Sequence, residues 1–132
     1  MPDPRLYVAF YRPWEGNYTN WALYIDDENE SIIFEVLGQH PYFKRNVRFT
    51  RPEYSADFLG KEYVGVIRRS DIPYIWNIAA SVYVDNETVE WDCQDYVLDI
   101  LDRLVDEFIL NEWDEDYREA RHILKWKRGP II

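Results

Sequence analysis

The chain has 132 residues, with 25 Asp and Glu against 15 Lys and Arg, a formal net charge of −10, and 17% aromatic residues. That length and apolar content predict one domain over residues 1–132 with a packed core, and exclude a disordered acidic tail. The acidic balance excludes nucleic acid as a partner, and the lack of an apolar run of about 20 residues excludes membrane insertion.

In chain order, RLYVAFYR, from Arg5, is short and aromatic and predicts a strand. Pro13 and Gly16 mark a loop. NWALYID, from Asn20, predicts a second strand, DDENE a polar turn, and SIIFEVLG, from Ser31, a third strand ended by Gly38. Two strands joined by a short polar connection predict an antiparallel hairpin. In FKRNVRF, Phe43, Arg45, Val47 and Phe49 alternate with Lys44, Asn46 and Arg48, the pattern of a fourth strand. RPEYSADFLGK reads as a loop or one helical turn, and EYVGVI as a strand. RSDIPYIWNIAAS predicts a short helix capped by Ser70 or Asp71, with Pro73 in its first turn. SVYVDN is a strand or the end of that same segment.

The strongest pattern follows Cys93. Tyr96, Val97, Ile100, Leu101, Leu104, Val105 and Phe108 recur at steps of three and four and predict the buried stripe of a long helix. Asp95, Asp99, Asp102, Arg103, Asp106 and Glu107 take the other face, and Asp92 can cap the first turn. A last helix is predicted from about Asp114 to Lys127, with acids early and bases late to match its dipole. Residues 85–119 carry fourteen acids against Arg103 and Arg118, a solvated acidic face or a docking face for a basic partner.

The N-terminus MPDPRLYVAFYRPWEG lacks a basic segment followed by a long apolar run, so no signal peptide is predicted and a cytosolic (cytoplasmic) location is expected. Asn17, Asn29 and Asn86 each begin an N-x-[ST] triplet, which would matter only in a secreted chain. One cysteine allows no internal disulfide. With two distant histidines it gives no zinc pattern, and there is no phosphate-binding glycine loop. No metal and no cofactor are expected.

Cys93 falls at about the first helical position, where free amides favour a thiolate. Asp92 and Asp95 oppose that. Cys93 also shares the side of the helix that carries Tyr96 and Val97, so the helix periodicity turns it toward the sheet. Spacing alone reads it as a small buried apolar residue. Of the two histidines, His40 in GQHPY lies just after the third strand, and His122 lies among cations on the last helix and reads as a surface residue.

DCQDYVLDIL resembles the cysteine helix of the circularly permuted NlpC/P60 superfamily, in particular its lecithin-retinol-acyltransferase-like (LRAT-like) members, whose motif reads roughly N-C-E-H-F. NWALYID resembles the same family's H-W-A-x-Y motif, and the order of strand motif then cysteine helix agrees. The resemblance covers about residues 6–110. It implies an α+β fold of the papain-like kind, with a small antiparallel sheet packed against the cysteine-bearing helix. The helix after residue 110 is an addition to it.

Carried over residue by residue, the resemblance puts Cys93 at the nucleophile position. The base position falls on Asn20, which cannot take a proton near neutral pH. The third polar position falls on Glu35, and both Asn20 and Glu35 are expected to point at the start of the cysteine helix. His40 is the one substitute base within reach. Asn20, Trp21, Glu35 and Gln94 would line the cleft beside the thiol. The missing histidine favours a catalytically degenerate domain whose Cys93 cleft binds a small molecule or a protein partner. One alternative is an active cysteine hydrolase or acyltransferase with Cys93 as nucleophile and His40 as base. Another is an acidic inhibitor or decoy of a basic protein.

Overall fold

The computed structural model describes residues 2–13 and 19–128. Gly16 and Asn17 lie outside the described residues. Five strands, β1 (Arg5–Tyr11), β2 (Asn20–Asp26), β3 (Ser31–Leu37), β4 (Lys44–Arg48) and β5 (Phe58–Val66), form one sheet in the order β4-β3-β2-β1-β5. Every neighbouring pair is antiparallel. Three helices follow: α1 (Ile72–Ser81), α2 (Cys93–Asp106) and α3 (Glu115–Arg128).

Period-two alternation divides the strands between two cores. Leu6, Val8, Phe10, Trp21, Leu23, Ile25, Ile32, Phe34 and Val36 share one core with apolar residues from all three helices. Ala9, Tyr11, Ala22, Tyr24 and Ile33 form a second, smaller cluster on the outer face. The central strands are therefore buried on both sides, which is why β2 and β3 read as near-continuous apolar runs. The outer face is closed by Lys61, whose ammonium lies 4.5 Å from the Tyr7 ring centroid and 3.2 Å from Glu53.

β5 begins at Phe58, earlier than the EYVGVI segment suggests, after a single 3-10 turn at Pro52–Tyr54. Its first half is half-exposed, and Phe58, Leu59, Gly60 and Lys61 show no period-two alternation to mark it. The SVYVDN segment is not a strand: Ser81 ends α1 and the chain then runs irregularly. Asp71 precedes α1 without a side-chain cap bond; its carboxylate accepts instead from the Arg68 N–H at 3.3 Å. The open carbonyls at the end of α1 are met from other elements: Ala79 accepts from the Tyr96 hydroxyl at 2.7 Å and from Arg45, and Val82 also accepts from Arg45.

α2 is capped at both sides of its first turn. Asp92 accepts from the Gln94 N–H at 2.8 Å, and Asp95 accepts from the Asp92 N–H at 3.0 Å. Val97, Ile100, Leu101 and Leu104 are fully buried, so truncating any of them to alanine costs about 2–5 kcal/mol. Phe108 does not continue the buried stripe. The helix ends before it, its φ is +60°, and its side chain is 93% exposed. The left-handed turn releases the chain into α3, and the periodicity cannot foresee it.

Candidate functional site

The site begins as a break in the sheet. β2 and β3 pair from Asp26 and Ser31 to Leu23 and Phe34, and the ladder stops there. Had the register continued, Trp21 would face Val36. β2 stays paired with β1 as far as Asn20, and β3 with β4 as far as Leu37. The two halves of the sheet therefore part between residues 20–22 and 35–37. The start of α2 fills the helix side of this split. The Trp21 N–H donates to Cys93 Sγ at 3.4 Å in place of a strand partner.

Cys93 is 3% exposed, and its thiol donates to Asn20 Oδ1 at 3.7 Å. The amide orientation of Asn20 is fixed by its other end, where Nδ2 donates to the Arg12 carbonyl at 3.3 Å. The sulfur thus has both a donor and an acceptor. Burial pushes the thiol up to about 12; the Trp21 N–H and Arg128 oppose that shift, while the charge of Asp92 adds to it. The pull of the helix-start amides does not offset that burial.

Behind the thiol lies a sealed polar cluster. Gln94 is 1% exposed; its Nε2 donates to the Thr19 carbonyl at 2.8 Å and its Oε1 accepts from Arg128 at 3.0 Å. Arg128, from the end of α3, also donates to Asp92 at 3.2 Å and Asp95 at 2.9 Å. Gln94 is therefore a strut joining Thr19, just ahead of β2, to α2 and α3, and it does not line the cleft.

The other side of the split is open. A cleft of about 90 Å³ is lined by Tyr11, Asn20, Trp21, Glu35 and Val36, with Ser55 and Asp57 at its rim. The expected trio Asn20, Trp21 and Glu35 does come together here. Trp21 contributes while its ring stays buried, edge-on to Phe10 at 5.7 Å. Glu35 does not point at the start of α2. Phe34 and Val36 face the helices, so alternation sends Glu35 to the outer face. There its carboxylate accepts from Asn46 at 2.8 Å and from Arg48 at 2.8 and 3.2 Å. Arg48 in turn lies 5.9 Å from the centre of the Tyr11 ring.

Tyr11 was hidden from sequence reasoning. It is 7% exposed, and its hydroxyl has no hydrogen-bond partner among the described residues. Burial pushes it up to about 12, against the pull of Arg48, so it is a neutral phenol at ordinary pH. The signal was its place on the outward set of β1, which only the sheet order reveals.

His40 does not reach Cys93. It sits in the turn before Pro41, with Nδ1 unpartnered among the described residues, beside Asp85. The carboxyl of Asp85 is held below its ordinary range chiefly by Thr88, with His40 contributing least. The reason is topological: the turn follows β3 on the β4 side, while Asn20 and Cys93 meet at β2. His122 is exposed on α3, as expected. Asn86 spends its side chain on Phe43, accepting from its N–H at 2.8 Å and donating to its carbonyl at 3.1 Å. Among the described residues no cluster of His, Cys, Asp or Glu could hold a metal, and no helix is long and apolar enough to cross a membrane.

A larger, shallower groove of about 470 Å³ runs between α1 and α2 past Tyr74, Ile78 and Ile109. It contains none of the residues singled out by the motifs. Residues 6–111 match a family of unknown function, DUF6540, and the chain belongs to that family. No curated protein and no solved structure matches it.

Proposed function

We propose that this DUF6540 member is a catalytically silent domain of the permuted NlpC/P60, LRAT-like kind, in which the cleft of the split sheet binds a small molecule or a group on a protein partner. One observation carries the reading: the position where the resemblance implies a histidine base holds Asn20, and Asn20 faces the Cys93 sulfur. An amide can accept the thiol's proton in a hydrogen bond but cannot remove it. The thiol is then a latch, closing the helix side of the split. The open side retains Tyr11, Asn20, Trp21 and Glu35 around a small cavity. Binding there needs no covalent step.

Two measurements test this together. Ester and thioester substrates should show no turnover that depends on Cys93; turnover lost in Cys93→Ala would overturn the reading. A fragment screen by amide NMR should give hits that move the Asn20, Val36 and Leu37 signals, and these hits should survive Cys93→Ser. A screen that moves none of them would remove the cleft as the functional site.

A further inference from the structure

The split exposes half of a backbone recognition site. Register directs Trp21 and Val36 toward each other. The Trp21 N–H is taken by Cys93, whereas Val36 has no ladder partner across the gap. Tyr11 lines the same cleft; its buried hydroxyl makes no hydrogen bond of full geometry among the described residues, and Arg48 is the group that pulls on it. The cleft thus offers a neutral donor and a neutral acceptor, the Val36 N–H and carbonyl, with the Tyr11 O–H buried in its wall.

The charges of Glu35 and Arg48 are already paired with each other. Both Glu35 oxygens are bound by Asn46 and Arg48. Among the described residues no cation lines the cleft, and Asp57 in its lining repels an acid. A ligand cation would approach the Arg48 guanidinium. What remains complementary is a neutral group with one acceptor and one donor on neighbouring atoms. The protein uses that solution elsewhere: the carboxamide of Asn86 satisfies the N–H and the carbonyl of Phe43, just ahead of β4. The cavity, about 90 Å³, has room for such a head group, being the space of roughly three waters. The rest of a larger ligand would leave through the mouth.

We infer that the β2–β3 split binds a neutral carboxamide or lactam edge, which donates to the Val36 carbonyl and accepts from the Val36 N–H or the Tyr11 hydroxyl. This rests on the reading of the cleft as a binding site. No bond is made or broken, so the ligand leaves unchanged.

Three probes of one shape separate the possibilities: isobutyramide, isobutyrate and isobutyramidinium, neutral, negative and positive. Each is titrated into the 15N-labelled full chain and followed at the Val36 and Leu37 amides. Isobutyramide should bind at least about tenfold more tightly than either ion, since an ion would leave a buried partner unmatched. Tyr11→Phe should weaken it about three- to tenfold, the loss of one hydrogen bond, with the other amide signals unmoved. If isobutyrate or isobutyramidinium binds as tightly at those amides, the ligand class is wrong while the cleft remains a binding site. If none of the three moves them, the inference fails, and the fragment screen alone decides whether the cleft binds anything. An unchanged affinity in Tyr11→Phe overturns the role given to the hydroxyl.

Discussion

Two buried tyrosines on opposite faces of the sheet make an instructive pair. Tyr96, on the helix face, and Tyr11, on the outer face, are both pushed up to about 12 by burial. Tyr96 donates to the Ala79 carbonyl at 2.7 Å, while the Tyr11 hydroxyl meets no partner among the described residues. The same contrast extends to their surroundings. On the helix face the thiol, Gln94, Asp92 and Asp95 are all matched; on the outer face the split leaves Val36 and Tyr11 unmatched. A buried polar group that is satisfied holds a fold together, and one that is not calls for an explanation, which the proposed binding cleft supplies for Tyr11.

The contrast can be broken most forcefully at Asn20. Asn20→His would set an imidazole against Cys93 in place of the amide. An ion pair would then favour the thiolate over local burial, and iodoacetamide labelling at neutral pH should rise by about 10²-fold or more. Asn20→His with Cys93→Ala should lose the gain. No gain in the single variant would mean that Asn20 is not a vacated base position.

Alkali tests the helix face as a whole. The unfolded Cys93 thiol releases its proton near 8.5, while the folded one holds it to about 12. The folded state therefore binds more protons in that window. Stability is fully present below about pH 8.5 and falls as pH rises toward 12, by up to about 1.4 kcal/mol per pH unit from this group. Urea titrations between pH 8 and 10, below the range where the buried tyrosines add their own loss, should show the fall, and Cys93→Ala should flatten it. Native labelling by iodoacetamide should have its midpoint well above 8.5; a lower midpoint would make the thiol a reactive one.

Arg128→Met should destabilise the fold by about 2–4 kcal/mol, because it leaves Asp92 and Asp95 as half-buried carboxylates without their cation. Denaturant unfolding measures this; a change below about 0.5 kcal/mol would show that the α3 contact is ornamental.

The smallest effects sharpen the contrast most. Tyr96→Phe should cost about 1–2 kcal/mol, since the Ala79 carbonyl loses a donor. Tyr11→Phe should be neutral or stabilise by about 0.5–1 kcal/mol, since it removes a buried hydroxyl without a partner. Equal costs for the two would erase the distinction between the faces.

Much of this was legible in local sequence. The hairpin of β2 and β3, the capped start of α2 and the meeting of Asn20 with Cys93 follow from short-range alternation, helix periodicity and the motif order. Even the direction of Glu35 was written there, since Phe34 and Val36 on one face put Glu35 on the other. What could not be read is non-local. The ladder break depends on Cys93 taking the Trp21 N–H from 72 positions away, and the clamp on Gln94 comes from Arg128, 34 positions on. Pairings of that reach leave no pattern in any window of sequence.

The Arg128 clamp has one more consequence, in the order of synthesis. Arg128 follows Asp92 by 36 positions. At ribosomal speed that is a delay of roughly two to seven seconds. Through that interval the two acids and Gln94 at the start of α2 await their guanidinium. The last turn of α3 therefore closes the site, and residues 92–95 reach their final pairing only when nearly all of the described chain has been made.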